Sequence, residues 1–232
     1  MTYSQAEKQI QKRGTKSANS GCLITVLDPG SAASEAYRAL RTSLLYAQVD
    51  TPPKVILVTS PGTTEGKSTV CANLGVVLSQ AGKRVLIADC DFRRPVMQDV
   101  FGLGDARGIV NVLAGECDLQ EAYQEPLPDL KVLPVGAVPP NPAELLSSQR
   151  LAELLLTVRE DFDYVLLDSS PTKFVSDPAI LAAQSDGVLL TFSAQKTRKG
   201  DVRRAVHALT VVGANILGTV MNNVKGSDEV YY

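Results

Sequence analysis

Short apolar runs recur along most of the chain and alternate with segments of helical spacing. The runs predict strands at residues 55–58, 84–89, 130–134, 164–168, 187–192 and 216–222. They are apolar at nearly every position, which is typical of parallel strands covered on both faces. The spacing between them predicts helices at residues 70–78, 109–114, 149–159, 178–183 and 200–212. This alternation predicts an α/β fold with a mostly parallel central sheet flanked by helices on both faces.

The first 30 residues lack this pattern. They are polar and rich in Gln, Lys, Ser and Gly, so we expect a flexible N-terminal arm over residues 1–30, with one short strand at 23–26. Ser34 is a candidate N-cap for a helix that runs to about residue 47, because apolar residues then recur at helical spacing. The folded domain is expected to span residues 31–225, and residues 226–232 to form a C-terminal tail.

Composition argues against several classes of function. With 232 residues, 44% of them hydrophobic, the chain is long enough for one α/β domain. A net charge of −2 provides no general basic field, so we expect no nucleic-acid partner. The single histidine, His207, lies in a predicted helix, which argues against Ser-His-Asp chemistry and histidine-rich metal sites.

Cysteine spacing and hydropathy bear on the cellular compartment. The cysteines show no paired spacing typical of a metal site; they are Cys22, Cys71, Cys90 and Cys117. We recognise no signal peptide, so a reduced, cytoplasmic protein is expected. No apolar run approaches the roughly 18 to 20 residues that cross a bilayer, so any membrane association is expected to occur through a partner.

The first strand leads directly into a glycine-containing loop, Ser60-Pro61-Gly62-Thr63-Thr64-Glu65-Gly66-Lys67-Ser68-Thr69. A strand, such a loop and a helix in succession are typical of a phosphate-binding loop. The backbone N–H groups and the helix N-terminus attract phosphate, Lys67 would reach the terminal phosphates, and Ser68 would hold Mg²⁺. Pro61 occupies the position where the usual motif has glycine, so the match is to a variant form. The alternative is a Gly/Thr turn that contains a lysine by chance.

Acidic residues follow two other predicted strands. Asp89 and Asp91 lie two residues apart after one strand, and Asp168 ends another. Ligands bind at the carboxyl ends of parallel strands, so these carboxylates predict a site for Mg²⁺ and for orienting a nucleophile. For any one of them a turn or helix-cap role is an alternative.

Taken together, the motifs resemble those of the bacterial tyrosine kinases that control capsule and exopolysaccharide synthesis, relatives of cell-division and partitioning ATPases. The resemblance rests on the variant loop, on Asp89-x-Asp91-x-Arg93 and on Asp168-x-x-Pro171. The helix motif Glu35-x-x-Arg38-x-x-Arg41 and the turn Pro139-Pro140-Asn141-Pro142-Ala143-Glu144-Leu145-Leu146 favour the kinase branch. Partitioning ATPases carry an extra lysine where this chain has Gly62.

The resemblance implies roles for individual residues. It implies catalytic roles for Lys67, Asp89, Asp91 and Asp168, with either Asp89 or Asp91 as the base. It places Mg²⁺ on Ser68, Asp89 and Asp168. The implied ATP-binding residues are Gly62, Thr63, Thr64, Glu65, Gly66, Lys67, Ser68, Thr69 and Asn222. Asn222 would contact adenine, and a turn-forming asparagine beside Asn223 is the alternative.

The resemblance also implies assembly and partners. The helix at 31–48 would join subunits into a ring through Glu35, Arg38 and Arg41, although these charges also suit an ordinary solvated helix face. Neighbouring subunits would phosphorylate Tyr231 and Tyr232 in the tail, and a cognate tyrosine phosphatase would reverse this. A separate membrane adaptor would hold the chain at the inner face of the membrane and activate it. The alternative function is an ATPase switch that assembles partners without phosphorylating protein.

Overall fold

A seven-stranded sheet forms the centre of the protein. The computed structural model describes residues 23–47, 52–104 and 107–224. The strands are β1 Val55–Thr59, β2 Val85–Asp89, β3 Gln124–Leu127, β4 Leu130–Leu133, β5 Tyr164–Asp168, β6 Gly187–Ser193 and β7 Ile216–Asn222. They lie in the order β3-β4-β2-β5-β1-β6-β7, and β3 alone among them runs antiparallel to its neighbour. The predicted α/β fold with a mostly parallel sheet is confirmed.

Helices cover both faces of this sheet. They are α1 Ile24–Leu27, α2 Ala32–Leu45, α3 Lys67–Ser79, α4 Met97–Phe101, α5 Ile109–Ala114, α6 Leu119–Ala122, α7 Pro142–Leu146, α8 Gln149–Asp161, α9 Asp177–Ala182 and α10 Lys199–Val211. The short elements α4, α6, α7 and β3 were not expected from the sequence. None of the helices in the described ranges is both long and apolar enough to cross a membrane.

Burial on both faces explains the continuous apolar runs. In β1, Ile56 and Val58 pack into one core with α1 to α4, whereas Val55 and Leu57 pack into a second core with α5 and α7 to α10. Successive side chains of a strand point to opposite faces, so a strand between two helical layers needs apolar residues at every position.

Strand register brings the carboxyl ends of the central strands together. In the parallel pairing of β2 with β5, Asp89 is aligned with Asp168, and in that of β1 with β5, Val58 is aligned with Asp168. The loop that follows β1 therefore leaves the sheet beside both carboxylates. This register, set by the apolar strands, positions the candidate site.

The segment before α2 differs from the prediction. Residues 23–26 were expected as a strand at the end of a flexible arm, but Ile24–Leu27 is a helix and Leu23 is fully buried. The backbone N–H and the hydroxyl of Thr25 donate to Asn73 Oδ1 in α3, at 3.1 and 2.8 Å. Packing against α3 therefore overrides the local pattern. Of the predicted arm, residues 1–22 lie outside the described residues.

The N-cap of α2 is Ser31 and not the predicted Ser34. The Ser31 side chain accepts a hydrogen bond from the Ser34 N–H at 3.2 Å. Ser34 is buried, and its hydroxyl contacts the carbonyl oxygens of Asp28 and Ile24 at 2.7 and 3.2 Å. Ser34 therefore joins α2 to the segment before it.

Truncation of Leu166 is expected to reveal how much the central strand contributes to stability. Leu166→Ala removes a fully buried side chain from β5 and should lower the free energy of unfolding by about 2 to 5 kcal/mol. Leu156→Ala, the matched control in α8, changes a side chain that is 66% exposed and should cost less than about 0.5 kcal/mol. Urea denaturation measures both, and equal losses would contradict the assignment of β5 to the core.

Candidate active site

The loop between β1 and α3 has the backbone of an anion-binding loop. Thr64 and Gly66 have positive φ angles of 57° and 92°. A Cβ atom on Gly66 would lie 1.8 Å from Asn222 Nδ2, so only glycine fits this position. No side chain caps the N-terminus of α3, which begins at Lys67. Its first N–H groups and the positive end of the helix dipole are thus directed at the loop.

A cavity of about 500 Å³ opens beside this loop. It is lined by Thr63, Thr64, Gly66, Lys67, Ser68, Thr69, Asp91, Arg94, Val96, Val100, Pro171, Asn222 and Asn223. Its volume is within the range of small-molecule sites. A larger cavity of about 700 Å³ lies among α7, α8 and α9, but no charged side chain lines it. Of these two cavities, the one at the loop therefore has the charged side chain and the helix N-terminus that suit an anion.

Lys67 connects the loop to the acidic residues. Its Nζ lies 2.9 Å from Asp91 Oδ2 and 3.7 Å from Asp168 Oδ1, and it donates to Ser68 Oγ at 3.0 Å. Burial alone lowers the pKa of Lys67, but the carboxylates of Asp168 and Asp91 outweigh it and hold that pKa above its usual value. Lys67 is therefore a buried ammonium at neutral pH.

Asp89 is held by the main chain. Its Oδ1 accepts from the Asp91 N–H at 3.1 Å, and its Oδ2 accepts from the N–H groups of Val96 and Met97, each at 3.0 Å. Burial, followed by repulsion from Asp168, raises the pKa of Asp89 to about 7, against the lowering effect of the two N–H groups on Oδ2. Asp89 thus shapes the loop after β2 and does not line the cavity.

Asp91 faces the cavity, unlike Asp89. It is 3% exposed, and its Oδ1 accepts from the Arg94 N–H at 3.1 Å while Oδ2 contacts Lys67. The sequence left open which of Asp89 and Asp91 acts as the base. Because Asp91 lines the cavity, it is the carboxylate that an incoming hydroxyl group can reach.

The Asp168 carboxylate is a candidate ligand for a cation. It is fully buried, its Oδ1 lies 3.7 Å from Lys67 Nζ, and neither of its oxygens has a partner at ordinary hydrogen-bond distance. Burial raises its pKa, and Lys67 opposes this increase. The described residues contain no group of three or more His, Cys, Asp or Glu side chains arranged to hold a metal alone. Asp168 and the Ser68 hydroxyl therefore fit a magnesium ion whose other ligands are water and phosphate oxygens.

The loop residues predicted to bind the nucleotide do not all line the cavity. Thr63, Thr64, Gly66, Lys67, Ser68 and Thr69 line it, but Gly62 and Glu65 do not. The Gly62 N–H donates to Glu65 Oε2 at 2.7 Å, so this group is already engaged within the loop. The structure therefore does not support the predicted contact between Gly62 and phosphate.

Asn222 lies where β7 ends, beside the loop. Its Nδ2 donates to the Glu65 carbonyl oxygen at 3.4 Å, and the residue lines the cavity. Its Oδ1 also accepts from the Asn223 N–H at 2.9 Å, which is the turn role considered as the alternative. The two roles are thus compatible in one side chain.

An ion pair between Arg93 and Asp177 was missed from the sequence. Arg93 Nε and one terminal nitrogen lie 2.7 and 3.2 Å from the two carboxyl oxygens of Asp177, which is 1% exposed. Ser170 Oγ lies 3.4 Å from Asp177 Oδ2. The pair joins the loop after β2 to the start of α9. The arginine of the Asp-x-Asp-x-Arg motif was the available signal, but its partner is 84 residues away.

The predicted assembly residues make contacts within the chain. Arg38 pairs with Glu35 at 2.7 Å and donates to the Pro29 carbonyl at 2.6 Å, and Arg41 donates to the Val77 carbonyl of α3 at 2.9 Å. The Glu35 side chain remains 72% exposed. Tyr231 and Tyr232 lie outside the described residues.

Replacing Asp168 is expected to change how stability depends on pH. An unfolded aspartate has a pKa of about 3.9. Because Asp89 and Asp168 have raised pKa values in the folded protein, the folded state releases protons that the unfolded state has already lost, and stability falls as pH rises through about 7. Asp168→Asn removes one buried charge and its repulsion of Asp89. The free energy of unfolding of the variant, relative to that of wild type, should therefore increase as the pH rises from about 5 to about 8.

Asp186→Asn is the matched control, measured by the same urea denaturation. The Asp186 carboxylate accepts from the N–H groups of Lys54 and Val55 at 2.9 and 2.8 Å and pairs with Arg159 at 2.6 Å. Burial opposes these contacts, but together they lower its pKa, so its contribution to stability is lost only as pH falls below about 4. The loss of stability caused by Asp186→Asn should therefore be constant between about pH 5 and pH 8. A difference for Asp168→Asn that does not vary with pH would contradict the raised pKa values.

Comparisons with known proteins identify the family of this chain. A family model described as an AAA domain matches residues 53–215. The tyrosine-protein kinase YwqD of Bacillus subtilis is 39% identical over 211 residues, which cover 90% of this chain and 89% of that protein. The tyrosine-protein kinase wzc of Salmonella typhimurium is 32% identical over 213 residues, which cover 91% of this chain but 30% of that protein.

Two solved structures share the fold. The kinase domain of the Escherichia coli tyrosine kinase ETK matches with a TM-score of 0.82 and 30% identity, covering 90% of this chain and 84% of that one. The septum site-determining protein MinD of Pyrococcus horikoshii, solved with Mg-ADP, matches with a TM-score of 0.64 and 25% identity over 75% and 72% of the two chains. The chain belongs to the bacterial tyrosine-protein kinases, a family built on a nucleotide-binding phosphate loop that it shares with MinD.

Proposed function

We propose that this protein transfers the γ-phosphoryl group of ATP to tyrosine hydroxyl groups of protein, including its own tail. The observation that carries the proposal is the position of the Lys67 ammonium, between the phosphate loop and the carboxylates of Asp91 and Asp168. Phosphoryl transfer depends on alignment and on neutralising charge in the transition state more than on covalent participation by the enzyme. This site provides both within one cavity.

The loop and Lys67 would bind the phosphates. The loop residues Thr63, Thr64 and Gly66 and the first residues of α3 line the cavity, and the N–H groups at the start of α3 would bind the phosphates there. Lys67 would exchange part of its contact with Asp91 for the β- and γ-phosphates. Asn222, which lies beside the loop at the end of β7, would contact the adenine base.

Asp91 would act on the tyrosine. It would orient the hydroxyl group towards the γ-phosphorus and accept its proton as the new O–P bond forms, while ADP leaves with the electrons of the broken bond. Asp89 would keep this loop in place through its bonds to three main-chain N–H groups. We therefore propose Asp91 as the base.

The residues that would hold Mg²⁺ are Ser68 and Asp168, with Asp89 at the periphery. A bound magnesium ion neutralises phosphate charge and aligns the β- and γ-phosphates. The two unbonded carboxyl oxygens of Asp168 support this assignment, since they are suited to accept bonds from the ion's water ligands.

We further propose that the protein works with a separate membrane adaptor in capsule or exopolysaccharide synthesis and export. The chain spans most of YwqD but less than a third of wzc, so relatives of two lengths carry the same domain. We expect the adaptor to be a separate polypeptide that binds and activates this domain. It would hold the domain at the cytoplasmic face of the membrane, and a tyrosine phosphatase would return the tail to its starting state.

Incubation with Mg-ATP is expected to place phosphate on the tail. Mass spectrometry of the purified protein should show phosphate on the peptide that contains Tyr231 and Tyr232, and Tyr231→Phe with Tyr232→Phe should remove it. Lys67→Met should lower labelling at least about 100-fold, because it removes the ammonium that neutralises the transferred group. Lys199→Met, an exposed lysine of α10, is the matched control and should label normally.

The proposal would be wrong if the wild-type protein, supplied with an adaptor's cytoplasmic tail, released free phosphate from ATP without labelling any tyrosine. That result would establish the ATPase switch. Persistent phosphotyrosine in Lys67→Met would instead show that this site is not responsible for the labelling.

The charged residues of α2 are expected to hold subunits together in a ring. Replacing Glu35, Arg38 and Arg41 with alanine should convert the assembly to monomers, measured by light scattering. Arg41→Ala alone is a necessary control, because Arg41 also donates to the Val77 carbonyl within the chain. An unchanged mass for the triple variant would assign these residues to an ordinary solvated helix face.

A further inference from the structure

A buried carboxylate of the phosphate loop has no part in the proposed reaction. Glu65 is 5% exposed and does not line the cavity. Its Oε2 accepts from the Gly62 N–H at 2.7 Å, and its Oε1 accepts from the hydroxyl of Thr197. A buried carboxylate is costly unless it is hydrogen-bonded, so these two contacts explain its position in the loop.

Thr197 is itself held firmly. It lies in the connection between β6 and α10, where its hydroxyl accepts from the Ser193 N–H at 2.8 Å and its own N–H donates to the Ser193 carbonyl at 3.0 Å. The hydroxyl thus donates to Glu65 and accepts from Ser193 at once. Thr197 therefore ties the phosphate loop to the carboxyl end of β6.

The same strand end is tied to Asn222. The Ala194 N–H donates to the Asn222 carbonyl at 2.9 Å, and Asn223 Nδ2 lies 3.2 Å from Ser193 Oγ. Asn222 Nδ2 in turn reaches the Glu65 carbonyl at 3.4 Å. These bonds close a ring that runs from the phosphate loop through the ends of β6 and β7 and back to the loop.

We propose that Glu65 and Thr197 are positioning residues, which set the separation between the phosphate loop and the Asn222 edge of the cavity and thereby control nucleotide affinity. The inference rests on the proposed nucleotide binding and adds a fixed spacing between the two ends of the ligand. Space is tight here, because a methyl group on Gly66 would already collide with Asn222. A small displacement of either side would therefore alter the fit of a ligand that contacts both.

Thr197→Val tests this spacing while the Gly62–Glu65 bond remains. Valine keeps the shape of threonine but removes the hydroxyl bond to a charged group, so ATP affinity should fall about tenfold. Tripolyphosphate contacts only the loop and should lose less than about threefold. Thr197→Ser retains the hydroxyl and is the matched control, with affinities close to wild type. Equilibrium binding of a fluorescent ATP analogue, with competition by ATP and tripolyphosphate, measures these values on the full chain.

Glu65→Ala and the double variant complete the test. Glu65→Ala should weaken ATP binding at least as much as Thr197→Val, and adding Thr197→Val to it should cause less than about a twofold further loss, because the shared bond is already absent. In steady-state kinetics KM should rise while kcat changes less than about twofold, since the bond between Glu65 and Thr197 touches no reacting atom. A Glu65→Ala chain that does not fold would be replaced by Glu65→Gln, which retains one acceptor for Gly62.

Several results would overturn the proposal that Glu65 and Thr197 control nucleotide affinity. These are ATP affinities of both single variants within twofold of wild type, equal losses for ATP and tripolyphosphate, and losses that add in the double variant. A lower melting temperature with unchanged affinity would show a purely structural role. A wild-type protein that binds ATP but labels no tyrosine would overturn the kinase assignment. The ATP affinities of the variants would then decide the role of Glu65 and Thr197. A wild-type protein that binds no nucleotide would overturn both.

Discussion

The structure depends on one buried ammonium group among carboxylates at the end of the central strands. Lys67 lies at the start of α3, and its positive charge is balanced by the carboxylates of Asp91 and Asp168, at 2.9 and 3.7 Å, and by that of Asp89 nearby. Each of these groups would be costly to bury alone, and their mutual attraction offsets part of that cost. The parallel register of β1, β2 and β5 creates the arrangement, because it ends three strands at the same edge of the sheet. Fold and site therefore have a common origin in strand pairing.

The charge balance of this cluster supports the proposal that a cation would accompany the nucleotide. Three carboxylates lie around one ammonium, and burial, with repulsion between the carboxylates, raises the pKa values of Asp89 and Asp168. A triphosphate adds further negative charge to the same cavity. Asp168 and the Ser68 hydroxyl would hold a divalent ion there, and the charge of that ion would offset this repulsion. Lys67, which pairs with Asp91 and Asp168 in the structure, would then share its charge with the phosphates.

The parts of the site that were predictable from the sequence are those that depend on neighbouring residues. The strands Tyr164–Asp168 and Ile216–Asn222 were predicted with the observed bounds, because continuous apolar runs between polar turns indicate buried strands. The four residues at 23–26 were misassigned because so short a run does not distinguish a strand from a helix. Glu65 and Thr197 are 132 residues apart, and no local pattern indicates that they meet. The family resemblance suggested roles for the acidic residues, and the structure shows that Asp91 lines the cavity whereas Asp89 does not.

Polar bonds between loops, and not apolar packing, hold the mouth of the site in shape. Arg93 joins the loop after β2 to Asp177 at the start of α9, and Glu65 joins the phosphate loop to Thr197 after β6. The two apolar cores lie beneath these loops, on either face of the sheet. A bond of this kind can be broken or re-formed at a cost far smaller than that of opening a core. The rigid sheet therefore fixes where the reacting groups lie, while the loop-to-loop bonds determine how closely they surround a nucleotide.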